Sequence, residues 1–564
     1  MKKMLKKLYY FILNLLLVQS YFKDNLEFKN SLSKVEIAQK SVLSRIIQNN
    51  KKTKFGIKHN FSSIKNAQDF QEFVPITTYD YYTSYVKLIE NGNKNVLTSE
   101  KVLILEPTSG STAPSKLIPY TKSLKREFQK GIGPWIYDMY TKRKGLMFGN
   151  AYWSITPINK VRNSSKSKIR VGFEGDVEYF GIPQKILLNL LLAVPKEVSE
   201  IEDTETFRYV TLLFLLKNKN VTFISIWSPT FFTLLLESFI EWSDFLIKDI
   251  ESGTINTPKD IHPDLMKQLL KKISRDKYRA KEIEQIIDKW RNKKYNSNSL
   301  YQDIWPSLSL ISCWTDANSA RYLKDLMSIF PRVEIQGKGL IATEAFVSFP
   351  LSERKGHILS VNSHFFEFID LETSKIKLAH ELILDRIYSV IITTSGGLYR
   401  YKLQDLIKVV GFAKEAPLLN FVGKEDNVSD LFGEKINQVH ISAIFKKLLN
   451  KYKIDTRFYM LAPSINTKKA TYYTIFLEPD QKISRNVMVK LRNDFESELL
   501  KNYHYSYCRK LDQLKKVELF DIEANGMKNF IEECQREGQK LGNIKLSVLN
   551  KNFGWESRFS GNFI

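Results

Sequence analysis

The chain has 564 residues, 43% hydrophobic and 26% charged, a balance that fits about two to four folded domains and excludes both a disordered polymer and a multi-span membrane protein. Lys and Arg outnumber Asp and Glu by 85 to 61, a formal net charge of +24, which attracts polyanions of any kind, from phosphate-bearing substrates to anionic lipid. The three cysteines, Cys313, Cys508 and Cys534, are far apart and odd in number, so no disulfide framework or zinc-ligand spacing is written into the chain and a reducing, cytoplasmic setting is expected.

At the amino terminus Lys2, Lys3, Lys6 and Lys7 precede an apolar run from Leu8 to Val18. The run is too short for a bilayer core, which takes about 20 residues, and Val18-Gln19-Ser20 is a poor cleavage site. The expected form is a helix packed on the body of the protein. Peripheral membrane contact through a basic amphipathic helix is the alternative.

Further along, Val102 to Leu105 reads as a short strand ending at Pro107, and a helical pattern starts at Lys122. Residues 183–195, 208–216 and 229–248 are rich in Leu and Phe and read as core helices around a sheet. Lys267 to Lys294, with Ile273, Ile283, Ile287 and Trp290 at near-helical spacing, reads as one amphipathic surface helix. It spreads the positive charge over a solvated face, and no specific nucleic-acid motif accompanies it. Val333–Ile335 and Ile387–Thr394 are strand runs, Gly396-Gly397 marks a turn, and Leu398–Leu403 and Ile407–Phe412 follow as strands with Asp405 in the turn between them. Alternating strands and helices place the chain in the α/β class.

Three segments carry chemistry. Thr108-Ser109-Gly110-Ser111-Thr112-Ala113-Pro114-Ser115-Lys116 gathers hydroxyls around one glycine and ends on an ammonium group, a composition suited to phosphate oxygens. It is not a Walker loop, because Ser115 and Leu117 flank Lys116. Gly339-Leu340-Ile341-Ala342-Thr343-Glu344 pairs a hydroxyl with a carboxylate, and one carboxylate beside phosphate oxygens suffices for magnesium. Gly397 to Asp405 places a carboxylate where it can accept both hydroxyls of a ribose. Alone, each is also an ordinary turn or helix start. The histidines show no metal-ligand spacing, and there is no Gly-x-Ser-x-Gly elbow.

In this order and at these separations the segments resemble the adenylate-forming superfamily. They resemble more closely the Gretchen Hagen family, the auxin-responsive promoter family of acyl acid amido synthetases, in its bacterial branch. The likeness extends through Thr108–Thr121, Cys313-Trp314, Lys338–Glu344, Thr393–Asp405 and Phe421–Lys435. It implies a large N-terminal domain of sheets flanked by helices, residues 1–426, which binds ATP and the acyl substrate, and a small mobile C-terminal α/β domain, residues 427–564. At matching positions, Thr108, Ser109, Gly110, Ser111 and Thr112 would hold the ATP phosphates with Lys116 nearby. Thr343 would touch the α-phosphate, Glu344 would bind magnesium in the catalytic centre, and Asp405 would bind the ribose. Lys424 stands where an arginine commonly contacts the ribose, without that residue's bidentate fork, and Asp426 lies at the joint between the domains. The family's terminal Gly-x-x-Lys element points to Lys545, ahead of Lys540, as a mobile catalytic lysine.

The chain departs from the family at Ala113-Pro114, where a glycine is usual, at Leu340-Ile341, where an adenine-stacking tyrosine is missing, and at Gln404, which replaces a glycine. The implied reaction joins a carboxylic acid to AMP at the expense of ATP, with magnesium, and then passes the acyl group to an amine, expected to be an amino acid. A thioester ligase serving coenzyme A or a carrier thiol, and a non-catalytic basic binding protein on a ligase fold, are the alternatives.

Overall fold

The computed structural model describes residues 2–108, 116–153, 169–172, 179–292, 300–316, 323–425, 428–466, 470–539 and 544–564. Ser109, Gly110, Ser111, Thr112, Ala113-Pro114, Asp426 and Lys540 lie outside the described residues. Backbone contacts divide the chain into one unit of Met1–Leu403 and Ile407–Phe421 and another of Gln404–Leu406, Val422–Gln539 and Ile544–Ile564.

The first unit begins with a helix, Lys2–Ser20, that buries Tyr10, Leu13, Leu17 and Val18 along one face. Asn14 Nδ2 on that face donates to the carbonyls of Met147 and Gly149 at 3.0 Å each. The apolar run near the amino terminus is therefore a helix packed on the body. Strands β1 (Ile104–Pro107) and β2 (Leu117–Tyr120) pair antiparallel, Ile104 opposite Tyr120. Helix Lys122–Lys142 follows directly, its amino end capped by Thr121 Oγ1, which accepts from Leu124 N at 3.1 Å.

Strands β3 (Asn150–Trp153), β4 (Val221–Ser225), β5 (Leu310–Cys313) and β6 (Glu334–Gly337) form a parallel sheet in that order. Every residue of β4 and β5 is buried, as strands covered on both faces require. Helices in the connections fill the crossovers that parallel strands need: Ile182–Leu191 and Thr204–Lys217 before β4, then Pro229–Ser252, Pro263–Leu270 and Lys277–Arg291 before β5. The stretch read as one helix from Lys267 to Lys294 is thus two. Asp276 Oδ1 accepts from Arg279 N at 3.0 Å and starts the second, while Ile273 is buried in the turn between them. Hydrophobic spacing does not register such a break; the capping aspartate does.

Strands β7 (Ser348–Pro350), β8 (His357–Leu359), β9 (Phe365–Asp370), β10 (Ile376–Leu378), β11 (Ile387–Thr393), β12 (Tyr401–Ala413) and β13 (Ala416–Lys424) build a seven-stranded sheet in the order β10-β9-β11-β12-β13-β8-β7. The two strands expected either side of Asp405 are one continuous β12, and Asp405 lies inside it. Gln404, at φ 64°, bends the strand without ending it.

In the second unit β14 (Val428–Ser429) and β15 (Ile436–Asn437) pair antiparallel. Strands β16 (Thr456–Ile465), β17 (Thr471–Pro479), β18 (Glu518–Ala524) and β19 (Ser560–Phe563) form a sheet in sequence order, with β17 and β18 parallel. Helices Gln438–Tyr452 and Arg485–Leu499 pack into its core through Phe445 and Phe495.

Candidate active site

The hydroxyl-rich loop leaves β1 and returns at β2, and its foot is closed by Thr108 N donating to the Lys116 carbonyl at 2.8 Å. Lys116 Nζ donates to Tyr401 Oη at 3.4 Å and lies 6.0 Å from the Tyr79 ring centre. Tyr79 in turn fixes the start of β2, its Oη accepting from Leu117 N at 2.6 Å and donating to Leu117 O at 3.1 Å.

Thr343 and Glu344 form the tip of a tight hairpin. Ile341 bridges Phe346, and Ala342 N donates to Ala345 O at 3.0 Å. Tyr120 Oη donates to the Thr343 carbonyl at 2.5 Å, tying this tip to β2. Burial pushes the Tyr79 and Tyr120 phenols up, and the charge on Glu344 adds to both shifts. Within the first unit Tyr79 thus holds the Lys116 end of β2, and Tyr120 at its other end holds the Thr343–Glu344 tip.

A buried chain of hydrogen bonds lies behind the hairpin. Phe346 N donates to His364 Nε2 at 3.0 Å. A backbone N–H can only donate, so Nε2 is unprotonated and Nδ1 carries the hydrogen. That Nδ1–H donates to Glu127 Oε2 at 3.1 Å. Glu127 also accepts from Ser395 N at 3.0 Å, Ser395 Oγ at 2.5 Å and Arg45 Nη2 at 3.2 Å. One turn along the same helix, a Cβ at Gly131 would overlap the Phe346 ring. The sequence reading missed Glu127 and His364. Glu127 did leave a signal: it falls on the buried stripe with Leu124, Phe128 and Gly131, where a carboxylate must find donors.

Trp153, Ser225, Cys313 and Gly337 end the parallel strands at one edge, the edge at which such sheets bind ligands. The next residue, Lys338, is buried. Its Nζ donates to Ser225 Oγ at 2.6 Å and lies 4.9 Å and 5.4 Å from the Trp227 and Trp135 rings, so a hydroxyl and two π faces hold its charge. Burial pushes the Cys313 thiol up to about 12, which keeps it protonated and unreactive at neutral pH.

In the second unit Asp405 is buried and paired with Lys424 Nζ at 3.3 Å, while Glu425 N donates to the Gln404 carbonyl at 2.7 Å. The two residues expected at the ribose thus face each other across β12 and β13. Arg400, four positions before Gln404, is committed to the fold of the first unit. Its Nε donates to both Glu367 oxygens at 3.2 and 3.0 Å, and its Nη1 to the Gln71 and Val74 carbonyls at 3.0 and 2.7 Å. Lys545 is exposed between the buried Ile544 and Leu546. The segment after it is pinned to β16 by Leu461 N donating to Val548 O at 2.8 Å and Asn550 N to Leu461 O at 2.9 Å. Among the described residues no three His, Cys, Asp or Glu side chains form a metal cage. Glu344 offers a single carboxylate, and one carboxylate beside phosphate oxygens and water is enough for magnesium to bind.

Models of the GH3 family N-terminal, central and C-terminal domains match residues 25–335, 357–424 and 438–552. Indole-3-acetic acid-amido synthetase GH3.15 of Arabidopsis thaliana is 24% identical over 439 residues, which cover 71% of this chain and 70% of that protein. Jasmonoyl--L-amino acid synthetase JAR6 of Nicotiana attenuata is 22% identical over 537 residues, 87% of each chain. The solved structure of AtGH3.15 acyl acid amido synthetase in complex with 2,4-DB shares the fold, with a TM-score of 0.79 at 20% identity over 93% of both chains. Matched in order by all three domain models, this chain belongs to the GH3 family.

Proposed function

We propose that the protein is an acyl acid amido synthetase, which uses ATP to adenylate a carboxylic acid and then transfers the acyl group to the amine of an amino acid. The observation that carries this reading is the bond from Tyr120 Oη to the Thr343 carbonyl, because it joins the strand leaving the phosphate-type loop to the Thr343–Glu344 tip. The relatives support the substrate classes, since their names specify indole-3-acetic acid amides and jasmonoyl-amino acids.

In the first half-reaction the substrate carboxylate attacks the α-phosphorus of ATP and pyrophosphate leaves. No protein nucleophile is required; the work is electrostatic. Thr108, Ser109, Gly110, Ser111 and Thr112 hold the phosphates with Lys116 beside them, Thr343 meets the α-phosphate, and Asp405 and Lys424 hold the ribose. Glu344 would hold a magnesium ion, which when bound would supply charge neutralisation at the phosphates. Lys545 brings carboxylate and phosphate together against their mutual repulsion. Residues 1–426 then act as the nucleotide and acyl domain and 427–564 as a mobile domain turning about Asp426. In the second half-reaction the amine attacks the acyl carbonyl and AMP leaves with the bonding pair. Three unpaired, buried cysteines suit a reducing, cytoplasmic setting.

The test is mass spectrometry of products after incubation with ATP, magnesium, a panel of acids, mixed amino acids and coenzyme A. An N-acyl amino acid is the expected product. An acyl-thioester alone would make the protein a thioester ligase, and no acid-dependent pyrophosphate release would make it a binding protein.

A further inference from the structure

Helix Lys2–Ser20 and helix Ile182–Leu191 pack side by side on the first unit, joined by Gln184 Nε2 donating to Ser20 Oγ at 3.1 Å. Each uses only one face for this packing. The other faces turn Leu5, Leu8, Ile12 and Leu16 of the first helix, and Ile182, Ile186 and Leu190 of the second, into solvent at 47–76% exposure. A lone exposed leucine is ordinary, but seven large aliphatic residues on two adjoining helices make a patch that marks an interaction surface.

The first helix also carries positive charge. Lys6, on the first helix, lines a cavity of about 530 Å³ with Lys217, Lys219, Arg279 and Lys281, opposed by Asp276 and Glu282. Glu282 is taken up by Lys219 and Arg279. Lys217 Nζ donates to the Ser274 carbonyl and, at 2.9 Å, to Ser274 Oγ, and burial holds its ammonium below the usual value, with Asp276 opposing the shift and Lys6 adding to it. No helix among the described residues is long and apolar enough to cross a membrane.

We propose that this face docks the protein on anionic phospholipid bilayers, with helix Lys2–Ser20 lying in the interface plane and lipid phosphate engaging the lysine cavity. Acyl chains match the aliphatic faces and phosphate headgroups match the lysines. The proposal uses none of the residues assigned to catalysis and stands whether or not the amido synthetase reading does.

The experiment is co-sedimentation of the full chain with vesicles of pure phosphatidylcholine or with about 30% phosphatidylglycerol, at about 50 and about 500 mM salt. Wild type is expected to bind the phosphatidylglycerol vesicles, more weakly at high salt and on the neutral vesicles. The triple change Leu8→Glu, Ile12→Glu and Leu16→Glu should lower partitioning more than about tenfold, and Lys6→Glu with Lys217→Glu should abolish the preference for anionic lipid. Leu8, Ile12, Leu16 and Lys6 are exposed, and Lys217 lines the cavity with its Nζ on Ser274, so circular dichroism checks that each variant keeps its fold and Lys6→Glu alone repeats the lipid test should the double variant lose it. Failure of wild type to bind at low salt, or undiminished binding by the triple variant, overturns the proposal. A concentration-dependent dimer in ultracentrifugation, lost in the triple variant and accompanied by no vesicle binding, overturns it in favour of a second copy of the chain.

Discussion

Glu127 permits a quantitative test because its surroundings separate hydrogen-bond capacity from charge. Glu127→Ala strips the acceptor from three buried donors, Ser395 N, Ser395 Oγ and His364 Nδ1, of which only the hydroxyl can rotate. Each stranded donor costs about 1–3 kcal/mol, and with the cavity the loss comes to about 3–5 kcal/mol. Glu127→Gln is different. Its amide oxygen, placed where Oε2 now lies, still accepts from Ser395 N and His364 Nδ1, while its NH2 donates to Ser395 Oγ. Only the contact with Arg45 is lost, and Arg45 is 44% exposed, so the cost is about 1 kcal/mol. Urea unfolding followed by tryptophan fluorescence measures this well, since seven of the eight tryptophans lie in the first unit. Acid-dependent exchange of pyrophosphate into ATP should fall more than about tenfold in the alanine variant, through drift of the Thr343–Glu344 tip, and stay within about threefold in the glutamine variant. Equal losses for the two variants would refute the reasoning, because charge and not acceptor geometry would then be holding the hairpin.

Three other outcomes are expected. Gln404→Gly should raise the denaturation midpoint by the equivalent of about 0.5–1 kcal/mol, because glycine adopts the left-handed φ of 64° without strain, and Gln404→Val should lower it by more than about 1 kcal/mol; a loss on glycine substitution counts against the kinked strand. Cys313 and Cys534, both pushed up to about 12 by burial, should resist iodoacetamide at mildly alkaline pH in the native protein and react once it is unfolded, as peptide mapping would report. The hydrogen bonds from Arg143 hold the Glu334 carboxyl below its usual range. The folded state therefore favours the ionised form, and this stability is present above the ordinary carboxylate pKa and lost as pH falls through the lowered value. Glu334 is half exposed, so Glu334→Gln should cost only about 0.5 kcal/mol at neutral pH, vanishing in acid; a deficit that persists in acid would show that charge is not its source.

What was legible in the sequence was mostly local. Ile387–Thr393 announced itself by β-branched residues and helix Lys122–Lys142 by its start after Thr121. Thr343, Glu344 and Asp405 stood out through the order and separation of the three segments and their likeness to the family, since each alone also reads as an ordinary turn or helix start. The contacts that assemble the site were not legible. Tyr120 and Thr343 are 223 positions apart, and Glu127 and His364 are 237 apart, and no periodic pattern reports a pairing at that range. Two local features were misread for chemical reasons. The cap at Asp276 divides a helix whose apolar spacing runs on unbroken, and the left-handed Gln404 bends a strand that glycine-based turn rules would have ended.

The central claim is that the Thr343–Glu344 tip, tied to β2 by Tyr120, serves acyl adenylation. Exchange of labelled pyrophosphate into ATP, run with a panel of carboxylic acids on wild type and on Glu344→Gln, tests it most directly. The account predicts exchange that appears only when a suitable acid is present and falls about 10²–10³-fold in the variant at unchanged thermal stability. Exchange independent of acid, or equal in the two proteins, would contradict it.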